Sequence, residues 1–124
     1  MPAANNDDLW ALLAKNYDYV EGAQISNSLI CLLALRESVE PMSSTDISKY
    51  VAKKTGGEIY KVSATIKESL ENRLKNSGYV KGKDIPSKNI GKGSKREVRA
   101  SLYEITPKGR KLLAGWIAFL SVYK

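Results

Sequence analysis

The hydrophobic period of the chain changes twice between residues 44 and 113, and few folds can accommodate that change. Val62, Ile66, Leu70 and Leu74 recur every four residues, which predicts a helix over 60–76 with one buried stripe. Gly78 follows where a left-handed C-terminal cap is expected. The pattern then shifts to strands, 79–83 and 98–105. In the second, Val98, Ala100 and Leu102 alternate with Arg99, Ser101, Tyr103 and Ile105. Thr106-Pro107 is a cap followed by a first-turn proline and starts a last helix, along which Leu112, Leu113, Trp116, Ile117 and Leu120 fall at helical spacing.

Upstream, Ser43 or Ser44 caps a helix running to about residue 54, with Asp46 in its first turn complementing the helix dipole. Ile47, Tyr50 and Val51 share its inner face, and Gly56-Gly57 stops it. Before it, a helix over 26–37 is apolar on most sides and so should be the most buried. Glu40-Pro41-Met42 ends that helix and permits a short extended segment. Asp7 or Asp8 caps a helix over 9–16, and 17–22 reads as a linker. The expectation is an N-terminal helix and linker at 1–22 and a domain at 23–124, together one unit. The fold class is mainly α with a small β-hairpin (α+β). Helix, turn, helix and two-stranded ribbon, flanked by terminal helices, is the order of a winged helix-turn-helix.

A chain of 124 residues matches one domain. No run approaches the roughly 20 apolar residues of a membrane span, and the N-terminus, with Asn5-Asn6-Asp7-Asp8, lacks the basic and apolar regions of a signal sequence. A cytoplasmic location and no membrane partner are expected. The sequence holds no histidine, which removes the commonest general base, the Ser-His and Cys-His nucleophile pairs and the usual nitrogen ligand for zinc. Gly91-Lys92-Gly93-Ser94-Lys95 has the composition of a phosphate loop without its spacing. No enzymatic activity, metal or cofactor is expected. Cys31 is the single cysteine, set in Leu29-Ile30-Cys31-Leu32-Leu33. It reads as an inert core residue rather than a redox sensor.

Charge points to the partner. Residues 1–58 hold five basic and eight acidic residues, net −3, whereas 59–124 hold fifteen and five, net +10. Over 81–99 seven cations face two acids, net +5, with little apolar content to bury. A cationic half on an acidic half marks a surface for a polyanion. Double-stranded DNA is the expected partner, with helix 60–76 in the major groove and the basic ribbon 79–105 on the backbone. The candidate contacts are Ser44 and Thr45, then Lys61, Ser63, Ala64, Thr65 and Lys67, whose small or cationic side chains suit base edges and phosphates. Lys88, Lys92, Lys95, Arg96 and Arg99 of the ribbon are the candidate phosphate clamp. Two other readings stand beside this one. One is a nucleic-acid or chromatin binder of weak sequence preference. The other is a winged helix used as a protein-interaction module, which predicts an apolar outer face on helix 60–76.

The run Leu102-Tyr103-Glu104-Ile105-Thr106-Pro107-Lys108-Gly109-Arg110-Lys111-Leu112 resembles the wing strand and closing helix of PadR-like and MarR-like winged-helix regulators. Ile66 to Val80, ending Leu74-x3-Gly78-Tyr79-Val80, resembles their recognition helix and first wing strand. Glu71 stands where PadR-like proteins more often place a leucine. The resemblance implies a transcriptional regulator, a homodimeric repressor that releases DNA on binding a small-molecule effector or sensing oxidation. The terminal helices carry Leu9, Trp10, Leu13, Leu113, Trp116, Ile117 and Leu120, more apolar surface than a minimal winged helix needs, and these are the candidate dimer interface.

Overall fold

The computed structural model describes the backbone of residues 6–86 and 99–121, with side chains described over 9–83 and 101–121. Helices α1 (Asn6–Lys15) and α2 (Tyr17–Gly22) follow end to end. Asn16 separates them and donates its side-chain amide to the Leu12 carbonyl at 2.9 Å. The segment 17–22, expected as a linker, is therefore helical, and it buries Val20. Helix α3 (Ser26–Glu37) is the centre of the molecule, with an unbroken buried run from Ser28 to Leu35. Cys31 lies within that run, and burial pushes its thiol far above the ordinary range, so it is an inert hydrophobe.

Helix α4 (Ser44–Lys54) begins in a capping box. The Asp46 backbone N–H donates to Ser43 Oγ at 3.1 Å, and the Ser43 N–H donates to Asp46 Oδ2 at 3.3 Å. Its inner face buries Ile47 and Val51. Helix α5 (Ser63–Ser69) continues without a break into a π-helical turn, Leu70–Lys75. A strict four-residue repeat on an α-helix drifts by about 40° per step. The widened turn takes that drift back, and Ile66, Leu70 and Leu74 all stay buried. Val62, the fourth member of the repeat, does not join them. It is the extended residue before α5 and is 50% exposed.

After Gly78, at φ 80°, strands β1 (Val80–Pro86) and β2 (Arg99–Ile105) pair antiparallel, from Val80 opposite Ile105 to Pro86 opposite Arg99. Met42 adds a bridge on the other edge of β2. Its N–H donates to the Tyr103 carbonyl at 3.0 Å, and the Tyr103 N–H donates back at 2.8 Å. Helix α6 (Pro107–Ser121) starts where Thr106 Oγ1 accepts from the Gly109 N–H at 3.1 Å and donates to the Gly78 carbonyl at 2.7 Å. The chain is thus mainly α-helical with one small antiparallel hairpin. Among the described residues no helix is long and apolar enough to cross a membrane.

One hydrophobic cluster runs through all of this, with Trp10, Leu13 and Val20 joined to α3, Ile47, Ile66, Leu70, Leu113 and Leu120. The Trp10 indole N–H donates to Glu37 Oε1 at 2.8 Å, and its ring meets Tyr50 edge-on at 6.1 Å. Trp10, Leu13, Leu113 and Leu120 are buried within a single copy. The expectation that they face a partner is corrected: α1 and α6 cover each other and α3, so their inner faces are core. Leu9, Trp116 and Ile117 are half-buried at its edge.

Candidate nucleic-acid interface

Two fixtures position α5 against α4. Thr55 Oγ1 donates to the Val51 carbonyl at 2.9 Å and accepts from the Ile59 N–H at 3.1 Å, so the chain re-enters the core at Ile59 after the turn. Gly56 and Gly57, at φ 61° and 85°, make the turn possible. Further on, the Ser48 hydroxyl donates to the Lys61 carbonyl at 2.5 Å, anchoring the extended segment just before α5. The start of α5 is thereby set by α4 rather than by its own capping group.

On α5, Ala64, Lys67 and Glu68 form the exposed edge, while Ser63 and Thr65 are half-buried. Ser44 is half-buried and Thr45 exposed in the first turn of α4. Lys61, expected on the outer face of the helix, precedes the helix and turns away. Its ammonium lies 3.5 Å from Glu21 Oε2 and 5.7 Å from the centre of the Tyr17 ring, with its side chain 25% exposed. Burial disfavours that charge, but Tyr17 and Glu21 together outweigh it and raise the Lys61 pKa.

The hairpin stands beside the C-terminal half of the same helix. Lys81 and Lys83 are exposed on β1, and Lys81 pairs with Glu104 across the strands at 3.0 Å. The Tyr103 hydroxyl donates to Glu71 Oε2 at 2.5 Å, and Lys75 Nζ lies 3.3 Å from Glu71 Oε1. Those contacts hold the Glu71 carboxyl below its usual range, the Tyr103 hydrogen bond most of all and Lys75 and Lys67 further. Gly82 faces this junction, and a Cβ there would make ordinary contact, 3.4 Å, with both the Tyr103 ring and Lys75 Nζ. Lys108, a cation in the first turn of α6, has a structural use: its Nζ donates to the Ser77 carbonyl at 2.7 Å and lies over the Tyr79 ring at 4.9 Å.

Lys88, Lys92, Lys95 and Arg96 fall outside the described residues, and Arg99 is placed only as the strand residue opposite Pro86. The described cations exposed on the helix and the hairpin are Lys67, Lys75, Lys81 and Lys83. The sequence reading missed the Glu71–Tyr103 junction. It also missed a groove of 270 Å³ on the other flank of α5, lined by Gln24, Asn27, Thr65, Glu68, Asn72 and Arg73 among others. No family model, curated protein or solved structure matches the chain.

Proposed function

We propose that this chain is a cytoplasmic DNA-binding transcriptional regulator of the winged helix-turn-helix type, acting as a homodimeric repressor. One observation carries the reading: α4, the double-glycine turn, α5 and the basic hairpin follow in the order that this architecture requires, with the hairpin packed against the π turn that continues α5. The helix formed by α5 and its π turn enters the major groove. There Ala64 lets it approach base edges and Lys67 reaches guanine or phosphate. Lys83 and the basic ribbon beyond it follow the backbone. The proposal includes no catalytic step and no cofactor.

A second reading, a winged helix that serves as a protein-interaction module, gains from one observation. Lys61 is folded back, and Tyr60 and Val62, 62% and 50% exposed, stand at the entrance to α5 in its place. Selection of bound duplexes from a random library, repeated across a salt series, separates the readings. A sequence-specific regulator enriches a motif and loses about 10³–10⁵ in affinity between roughly 50 and 200 mM salt if about 6–10 phosphates are neutralised. A weakly specific binder keeps the salt dependence but enriches no motif. An interaction module enriches nothing at any salt.

A further inference from the structure

The groove beside α5 joins groups that are not otherwise accounted for. Glu68 and Arg73 both line it, with Thr65, Asn72 and Asn27 between and around them. They stand five positions apart, on either side of the α-to-π junction. Among the described residues they form no salt bridge with each other, and Glu68 has no hydrogen-bond partner. Arg73 commits one N–H to the Gln24 carbonyl at 3.2 Å, which leaves its other guanidinium donors free. An acid and a base thus face one polar cleft without neutralising each other.

One further observation singles out the same place. Asn27 Oδ1 is buried with no hydrogen-bond partner among the described residues, a deficit that a bound polar molecule or a water can relieve. The groove volume of 270 Å³ lies near the lower end of small-molecule sites, about 300 Å³.

We propose that this groove binds a small zwitterion of the α-amino-acid class, its ammonium held by Glu68 and its carboxylate by Arg73. Thr65 and Asn72 complete the polar lining. The site stands whether or not the chain binds DNA.

The test is a titration of the ¹⁵N-labelled 124-residue chain, without nucleic acid, with the common free α-amino acids one at a time at millimolar concentration. At least one should give saturable shifts centred on the backbone amides of Ser26, Asn27, Ser69 and Asn72. Its N-acetyl derivative, which lacks the cation, and its carboxamide, which lacks the anion, should each bind about tenfold or more weakly. Glu68→Gln and Arg73→Gln should each weaken the free amino acid by a similar factor. Glu68 has no contact that the fold depends on, so Glu68→Gln remains informative if Arg73→Gln unfolds. No saturable shift with any amino acid overturns the proposal. So do shifts centred elsewhere, equal binding of the blocked derivatives, or undiminished affinity in Glu68→Gln.

Discussion

Tyr103 of β2 donates its hydroxyl to Glu71 of the π turn, and this bond links the helix proposed to read DNA to the hairpin proposed to grip the backbone. The tyrosine ring is buried while Glu71 is partly exposed, so the junction has an apolar root and a polar tip. Met42 pins the same tyrosine through its backbone on the other edge of β2. Helix, hairpin and the segment before α4 therefore share one residue as their common support.

Tyr103→Phe keeps the ring and removes the bond, and should cost about 1 kcal/mol near neutral pH. The depressed pKa of Glu71 gives the pH dependence its sign. A carboxyl whose folded pKa lies below its unfolded value contributes stability above the unfolded pKa, and that contribution is lost as pH falls through the folded pKa. The gap between wild type and Tyr103→Phe in urea melts should therefore be widest at neutral pH and shrink below about pH 4. A gap that widens on acidification contradicts this account.

Gly109 and Gly115 lie on one helix with opposite surroundings. A Cβ at Gly109 would come within 2.1 Å of the Tyr79 carbonyl oxygen, whereas one at Gly115 meets nothing within 4 Å. Gly109→Ala should push α6 off the hairpin and cost about 3 kcal/mol or more. Gly115→Ala should stabilise by about 0.5–1 kcal/mol through helix propensity. Thermal melts of the two single variants check both signs.

What could be read from the chain in advance follows from how local each signal is. Helices 26–37 and 44–54 are marked by an apolar run and by a Ser43–Asp46 cap, both complete within a few residues, and both appear at those bounds. The repeat from Val62 to Leu74 located the buried stripe but could not show where the helix begins, because an i+4 spacing is equally satisfied by an exposed residue ahead of the first turn. The expectation that Lys61 faces outward follows from that ambiguity. The helix at 17–22 carries no periodic signal, because its helicity rests on a single buried anchor, Val20. The Glu71–Tyr103 bond and the groove between Gln24 and Arg73 join distant parts of the chain, and no periodicity encodes them. Apolar content on α1 and α6 could not distinguish packing against α3 from packing against a second copy.

Within the proposed DNA complex, the lysines should divide by orientation. Lys67→Ala and Lys83→Ala should each reduce the salt slope of duplex binding by about 1. Lys61→Ala should leave that slope unchanged and cost less than about 1 kcal/mol of fold stability, because its partners are Glu21 and Tyr17. Combined replacement of Lys92, Lys95 and Arg96 should weaken all sequences equally. Binding isotherms at several salt concentrations measure each slope. A Lys61→Ala variant that loses slope while Lys67→Ala does not would invert the proposed face.

Assembly supplies the last prediction, since a homodimer is part of the proposal and the buried tryptophan cannot be its anchor. Trp10 and Leu113 lie inside one copy. Trp10→Ala should therefore cost about 3–5 kcal/mol and Leu113→Ala about 2–5 kcal/mol of fold stability, at any protein concentration. Trp116 and Ile117 are half-buried on α6, where a partner can still remove area from water. Trp116→Ala with Ile117→Ala should weaken association more than it lowers the monomer's own stability. Sedimentation equilibrium at micromolar concentration, run beside thermal melts at two concentrations, separates the two effects. The intact chain should sediment as a dimer, with recognition helices about 34–36 Å apart on a roughly palindromic site. An intact chain that sediments as a monomer overturns the homodimer. A double variant that stays dimeric moves the interface away from α6.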